Sequence, residues 1–260
     1  MSQDSKLFFD EYGRCIPNKL KAEVHQESRR YFKYIQPEIN YKEIYQRLNE
    51  YLKVSNQISL EEFKSRAEGI LSKISDDDRC KNIVNGVGVP FILPKQQCND
   101  IGLAMEGVYL DAVKASFESF FPKYSFVNHC NSSLEGKLSV VNGSRHEKLI
   151  YEMGQGVVVG YFFPCLLEYS VPAALEKIEE LPSQFLLAGG FDSAAALVGS
   201  PELLLRRDGY PPLLWLSGVS GGIREDAYHF EAYGYDLTFN NRPHFDKVAE
   251  YWSSGLVVLG

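Results

Sequence analysis

The chain has no run of apolar residues long enough to cross a bilayer. Its most apolar stretch, Gly156 to Leu167, contains Tyr161, Pro164 and Cys165 and stops at Glu168, well short of the roughly 20 residues that a spanning helix requires. That stretch reads as buried core. The beginning, MSQDSKLFFDEYG, places acidic residues inside any apolar run, so the hydrophobic centre of an export signal is missing. There is no CxxC pair among the cysteines at 15, 80, 98, 130 and 165, and an odd count of 5 leaves at least one unpaired in a monomer. Reduced thiols in a cytoplasmic setting account for this most simply. The histidines at 25, 129, 146, 229 and 244 include no HxH or HxxxH pair, so no metal and no cofactor is expected. Repeats, low-complexity tracts and long linkers are also missing.

Basic charge is in short supply where it would matter for nucleic acid. Residues 1–82 hold 15 Lys or Arg against 14 Asp or Glu, whereas the rest of the chain holds 12 against 20, and the net charge is −7. An acidic main body repels phosphate backbones, which disfavours nucleic acid as a general partner. What the sequence does have is the makeup of a folded chain. Of its 260 residues 45% are hydrophobic and 23% charged, with 16 Tyr and 16 Phe, enough for a sizeable core lined with partly polar rings.

Hydrophobic spacing divides the chain near residue 82. Before it, three helices are predicted: one from Asn18 through Ile35, one opened by Pro37, and one opened by the capping box Ser59 and Glu62 ahead of Phe63, Ala67, Ile70 and Ile74. After it, Ile83 to Leu93 reads as a strand or loop and 105–121 as a helix. Tyr124 to Cys130 pairs naturally with Leu138 to Val141 as a hairpin. A helix beginning at Ser144, with Glu147 completing a capping box, precedes a helix over 171–181. Strands follow at 184–188, 212–216 and 235–239, then a helix over 245–252 and a terminal strand. The expected fold is α+β: a helical N-terminal subdomain over 1–82, packed on a mixed α/β main domain over 83–260 with a largely buried sheet.

Two glycine turns carry the chemistry that can be read. Phe185 to Ser193 (FLLAGGFDS) runs a buried strand into Gly189, Gly190, Asp192 and Ser193. It resembles the SGGxDS loop of the ATP pyrophosphatase family, with Ala188 where that family has its leading serine. The resemblance implies that Gly189, Gly190 and Ser193 bind phosphate, with Asp192 near a metal. Unhindered N–H groups at a helix start stabilise an anion, which is the physical basis of such a loop. Gly218 to Gly222 (GVSGG) fits G-x-S-x-G after a buried strand and resembles the nucleophile turn of esterases and lipases of the α/β-hydrolase type. That resemblance implies Ser220 as nucleophile, with His244 or His229 as base and Asp236 or Asp246 as orienting acid. Ser220, Asp236 and His244 stand in the usual chain order.

Both turns also have a purely architectural reading. In it Asp192 caps the small-residue helix that follows, and Ser217 and Ser220 satisfy backbone groups in a turn between strands. The aromatic series Tyr228, Phe230, Tyr233, Tyr235 and Phe239 reads either as a ligand groove or as one face of a sheet. The leading functional expectation is a non-catalytic binding or interaction protein, with a protein or small molecule as partner. The rival is a serine hydrolase or nucleotide-using enzyme centred on 188–193 and 217–222.

Overall fold

A computed structural model describes residues 7–25, 34–205, 212–221, 226–243 and 245–260. The fold is α+β, with helices packed around a mixed eight-stranded sheet. In chain order the helices are α1 (Tyr41–Leu52), α2 (Leu60–Ser75), α3 (Ile101–Ala104), α4 (Leu110–Phe120), α5 (Glu147–Gln155), α6 (Val171–Glu180) and α7 (Gly190–Gly199). The strands are β1 (Val89–Leu93), β2 (Phe126–Asn128), β3 (Ser139–Val140), β4 (Val158–Leu167), β5 (Phe185–Leu187), β6 (Leu213–Trp215), β7 (Val219–Ser220), β8 (Ala227–Tyr233), β9 (Asp236–Arg242) and β10 (Trp252–Leu259).

The sheet runs β1-β4-β10-β6-β8-β9-β2, and β5 pairs with β10 beside β6. β4 and β10, its two longest strands, pair antiparallel, and every residue of β4 is buried. That is why this stretch is apolar without alternation: neither face meets water. α7 is buried along its whole length and packs on β1, α1 and α4. Its Ala-rich sequence lets those elements approach closely, and a helix apolar all round belongs in a core.

Several helix ends follow from local chemistry. Ser59 caps α2 by accepting from the Glu62 N–H at 3.1 Å, and Asn40 caps α1 by accepting from the Glu43 N–H at 3.3 Å. α1 therefore starts four residues after Pro37, because Asn40 offers the acceptor that the first turn needs. α3 and α4 are joined by a π-helical turn over Met105–Tyr109, so the helical stretch expected at 105–121 begins earlier, at Ile101.

Three local expectations are corrected. Residues 18–25 are not helical; Val24 instead bridges Tyr169 in extended form, and residues 26–33 lie outside the described set. The hairpin of 124–130 with 138–141 is not made: β2 pairs parallel with β9 and β3 pairs antiparallel with β7. Residues 245–251 carry no helix but two turns; the Phe245 carbonyl accepts from the Val171 N–H at 2.9 Å, which ties the stretch to the start of α6. In each case a long-range backbone partner outweighs a short periodic pattern.

The N-terminal segment crosses the body as a strap. The Phe8 N–H donates to Arg79, the Cys15 N–H to Cys165 and the His25 N–H to Glu168, and Phe9 and Cys15 are fully buried. Gly13 makes this crossing possible: at φ +77° a side chain there would lie 2.3 Å from the Gly86 nitrogen. All five cysteines are free thiols, and among the described residues no helix is long and apolar enough to cross a membrane.

Candidate functional site

The two glycine turns lie side by side. The Gly218 N–H donates to the Ala188 carbonyl at 2.7 Å, and the Ala188 N–H donates to Gly255 on β10 at 2.9 Å. Below them, the Ser217 and Ser254 hydroxyls bond one another. Strands β5 and β6 both flank β10, so their ends deliver the turns to one place.

What fills that place is His146. Its imidazole packs against both turns, so that a Cβ on Gly189 would sit 2.4 Å from Nε2 and one on Gly218 would sit 3.0 Å from Cγ. His146 Nδ1 donates to the Leu187 carbonyl at 3.2 Å, leaving Nε2 with no partner among the described residues. The Ser144 hydroxyl accepts from the His146 N–H and donates to the Gly218 carbonyl. Ser144 thus ties α5 to the second turn, rather than forming the expected capping box with Glu147. Neighbouring Arg145, at φ 62°, donates to the carbonyls of Leu181, Pro182 and Phe185 and fixes the chain leading into β5.

Asp192 occupies the position where the phosphate reading puts an anion. Its two carboxylate oxygens accept from the Gly189 N–H at 2.9 and 3.1 Å, at the positive end of α7. The carboxylate is fully buried and lies 3.9 Å from His146 Nδ1. Burial pushes its pKa up, and the nearby imidazole and the backbone donors pull it back. The Ser193 hydroxyl is also fully buried, with no hydrogen-bond partner among the described residues, and Gly190 packs on the Met105 sulfur. Gly189, Gly190, Asp192 and Ser193 are therefore together, with their polar groups facing protein rather than solvent.

The serine reading gives a different geometry. Ser220 is half-buried on β7, and its hydroxyl lies 3.5 Å from that of Ser139. The Gly221 N–H donates to the carbonyl of Asp226, the residue before β8. Asp236 is at the other end of the β8–β9 hairpin, opposite Tyr233, and accepts from the Ser125 N–H at 2.7 Å. The length of β8, at about 3.4 Å per residue, separates Ser220 from Asp236 by roughly 20 Å. The structure does not bring these two together, and His244 lies outside the described residues. His229 faces Trp215 across the ladder and has no polar partner within hydrogen-bond distance among the described residues.

Open space lies elsewhere. A recess of about 230 Å³ between the N-terminal strap and the sheet is lined by Tyr12, Arg14, Tyr34, Gln36, Asn85 and Cys165. It shares Gln36, Asn85 and Gly86 with a hollow of about 420 Å³ that reaches Tyr161 and Phe163. The Arg14 guanidinium lies 4.9 Å over the Tyr12 ring and pairs with Asp10 at 2.8 Å. The Gln36 amide bonds both the N–H and the carbonyl of Gly88, at 2.9 and 3.0 Å, so the wall is held by fixed polar groups. Burial pushes the Cys165 thiol well above the usual range, so it is a poor nucleophile. Among the described residues no three His, Cys, Asp or Glu side chains group to hold a metal.

None of these recess residues stands out in sequence, because the wall is assembled from four separated stretches. In the sequence His146 stands within Arg145-His146-Glu147 at a helix start, with nothing beside it that prompts a role. Comparison with protein-family models, with curated proteins and with solved structures yields no match to this chain.

Proposed function

We propose that this protein is a binding protein, and that it holds a small, polar, partly aromatic molecule in the recess between its N-terminal strap and the sheet. The observation that carries this reading is the filling of the glycine turns by the protein's own groups. The Gly189 N–H is given to the Asp192 carboxylate, and the His146 ring lies on the α-carbons of Gly189 and Gly218. A phosphate or an acyl group would have to displace both. The recess, in contrast, offers an aromatic ring, a guanidinium and carboxamide edges around an open volume, the mix of apolar walls and few fixed polar groups that suits a small ligand.

A crystallographic fragment screen tests this. Hits are expected against Tyr12, Gln36 and Asn85, and a Tyr12→Ala variant is expected to lose them while keeping its stability. Fragments or nucleotides bound at 188–193, or ester hydrolysis abolished by Ser220→Ala, would instead establish the enzyme reading.

A further inference from the structure

The chain holds two Asn-Gly pairs, Asn85-Gly86 and Asn142-Gly143, and both asparagines are exposed. In such a pair the backbone nitrogen after the asparagine reaches the side-chain carbonyl carbon most freely, because glycine brings no Cβ to obstruct the approach and leaves the backbone free to turn. The two sites differ in what holds them. At the first, the Gly86 N–H donates to the Ile83 carbonyl at 3.1 Å, and the Asn85 carboxamide donates to the Glu11 carbonyl at 3.3 Å. The strap also lies on this glycine, so that a Cβ there would sit 3.0 Å from the Tyr12 carbonyl oxygen. Both reacting groups are pinned.

At the second pair neither group is pinned. Asn142 and Gly143 are the central residues of an exposed turn, closed by the Ser144 N–H donating to the Val141 carbonyl at 3.1 Å. Among the described residues neither the Asn142 carboxamide nor the Gly143 N–H has a hydrogen-bond partner. Gly143 stands at φ +83°, with no atom of another residue within 4 Å of where its Cβ would be, which leaves room for a ring to close between the two residues.

We propose that Asn142 is a site of spontaneous deamidation, a covalent modification that needs water as its one co-reactant. The Gly143 nitrogen gives up its proton and bonds to the side-chain carbonyl carbon of Asn142. The bond from that carbon to the carboxamide nitrogen breaks, and ammonia leaves with the proton. Water then opens the five-membered succinimide: attack at the side-chain carbonyl gives aspartate, and attack at the main-chain carbonyl gives isoaspartate. The second product routes the backbone through the side-chain methylene and lengthens the turn. Both ends of this turn are tied to the glycine turns. The Val141 N–H donates to the Gly218 carbonyl at 3.0 Å, and the Ser144 carbonyl accepts at 3.0 Å from Leu187, two residues before Gly189. Isoaspartate at 142 therefore loosens the packing on His146.

Incubation of the folded protein in warm, mildly alkaline buffer, then digestion in acid and peptide mapping by mass spectrometry, tests this. The peptide containing Asn142 is expected to gain the mass that exchanges NH2 for OH and to split into two chromatographic forms, while the peptide containing Asn85 keeps its mass. In urea, where the fold no longer separates the two pairs, both are expected to convert at similar rates. Asn142→Gln, whose longer side chain has to close a six-membered ring, is expected to lose the change at 142 with an unchanged unfolding midpoint. The isoaspartyl form is expected to unfold at lower urea than fresh Asn142→Asp, which carries the same charge on an unaltered backbone. The proposal is overturned if Asn142 keeps its mass in the folded protein, or if Asn85 converts there as fast as Asn142. Equal midpoints for the isoaspartyl form and Asn142→Asp would overturn the effect on the glycine turns.

Discussion

At the scale of single residues, His146 is the piece on which both glycine turns close. Gly189→Ala would force a methyl group into the imidazole, and overpacking of this kind costs about 1–3 kcal/mol. His146→Ala removes the obstacle, so the double variant should recover part of that loss. A coupling of about 0.5–3 kcal/mol from urea unfolding of the four forms is the expected outcome. Two buried ionisable groups make opposite pH predictions. Burial lowers the His229 pKa, with Glu231 opposing, so the unfolded chain takes up the proton first. Stability therefore falls as pH drops below about 6.5, and His229→Phe should remove that part of the fall. Burial raises the Asp192 pKa. Its contribution is thus full below the unfolded carboxylate value of about 4 and is lost as pH rises through the folded value. Asp192→Asn, which keeps an acceptor for the Gly189 N–H, should gain stability relative to the parent as pH rises.

At the scale of elements, end chemistry decides where helices stop. Lys53 closes α1 in the left-handed region at φ 58°, with its N–H on Asn49. Glycine reaches that conformation without strain, so Lys53→Gly should raise stability by several tenths to about 1 kcal/mol in thermal or urea unfolding. Ser59→Ala should lower it by about 1 kcal/mol through loss of the α2 cap. The strands show the opposite dependence on distance. β2 is fixed by β9, and the Asp236 carboxylate clamps the Ser125 N–H just before it. The turn residues at 131–136 advertise a hairpin, but they do not encode which strand lies free to pair.

At the scale of the whole molecule, one core joins the first 82 residues to the remainder. Phe9, Ile44, Leu48, Phe63 and Ile70 belong to the same buried cluster as Phe91, Phe162, Leu186 and Phe191. Arg47 of α1 also donates to the Gly199 carbonyl at the end of α7 at 2.9 Å. The proposed division at residue 82 is thus open to a direct test. Helical ellipticity reports α1 and α2 among the rest, whereas tryptophan emission reports only the body. Coincident denaturant transitions from the two probes are expected, and separate midpoints would make 1–82 an independent folding unit.

The pattern of apolar spacing was enough by itself to determine the α+β class, the capped α2, the buried run of β4 and the strands at 185–187, 213–215 and 236–239, because each depends on neighbours within one or two turns of chain. It also marked Gly189 and Gly218 as special. Only the tertiary structure decided why: an imidazole about forty residues before one and seventy before the other lies on both. It likewise decided that the alternation in Ala227 to Tyr233 puts Tyr228 and Phe230 into the main core and His229 and Glu231 on the outer face, beside two indoles from other strands. Alternation gives two faces and no means of telling which one meets the larger core; that is set by where β6, β9 and β10 pair.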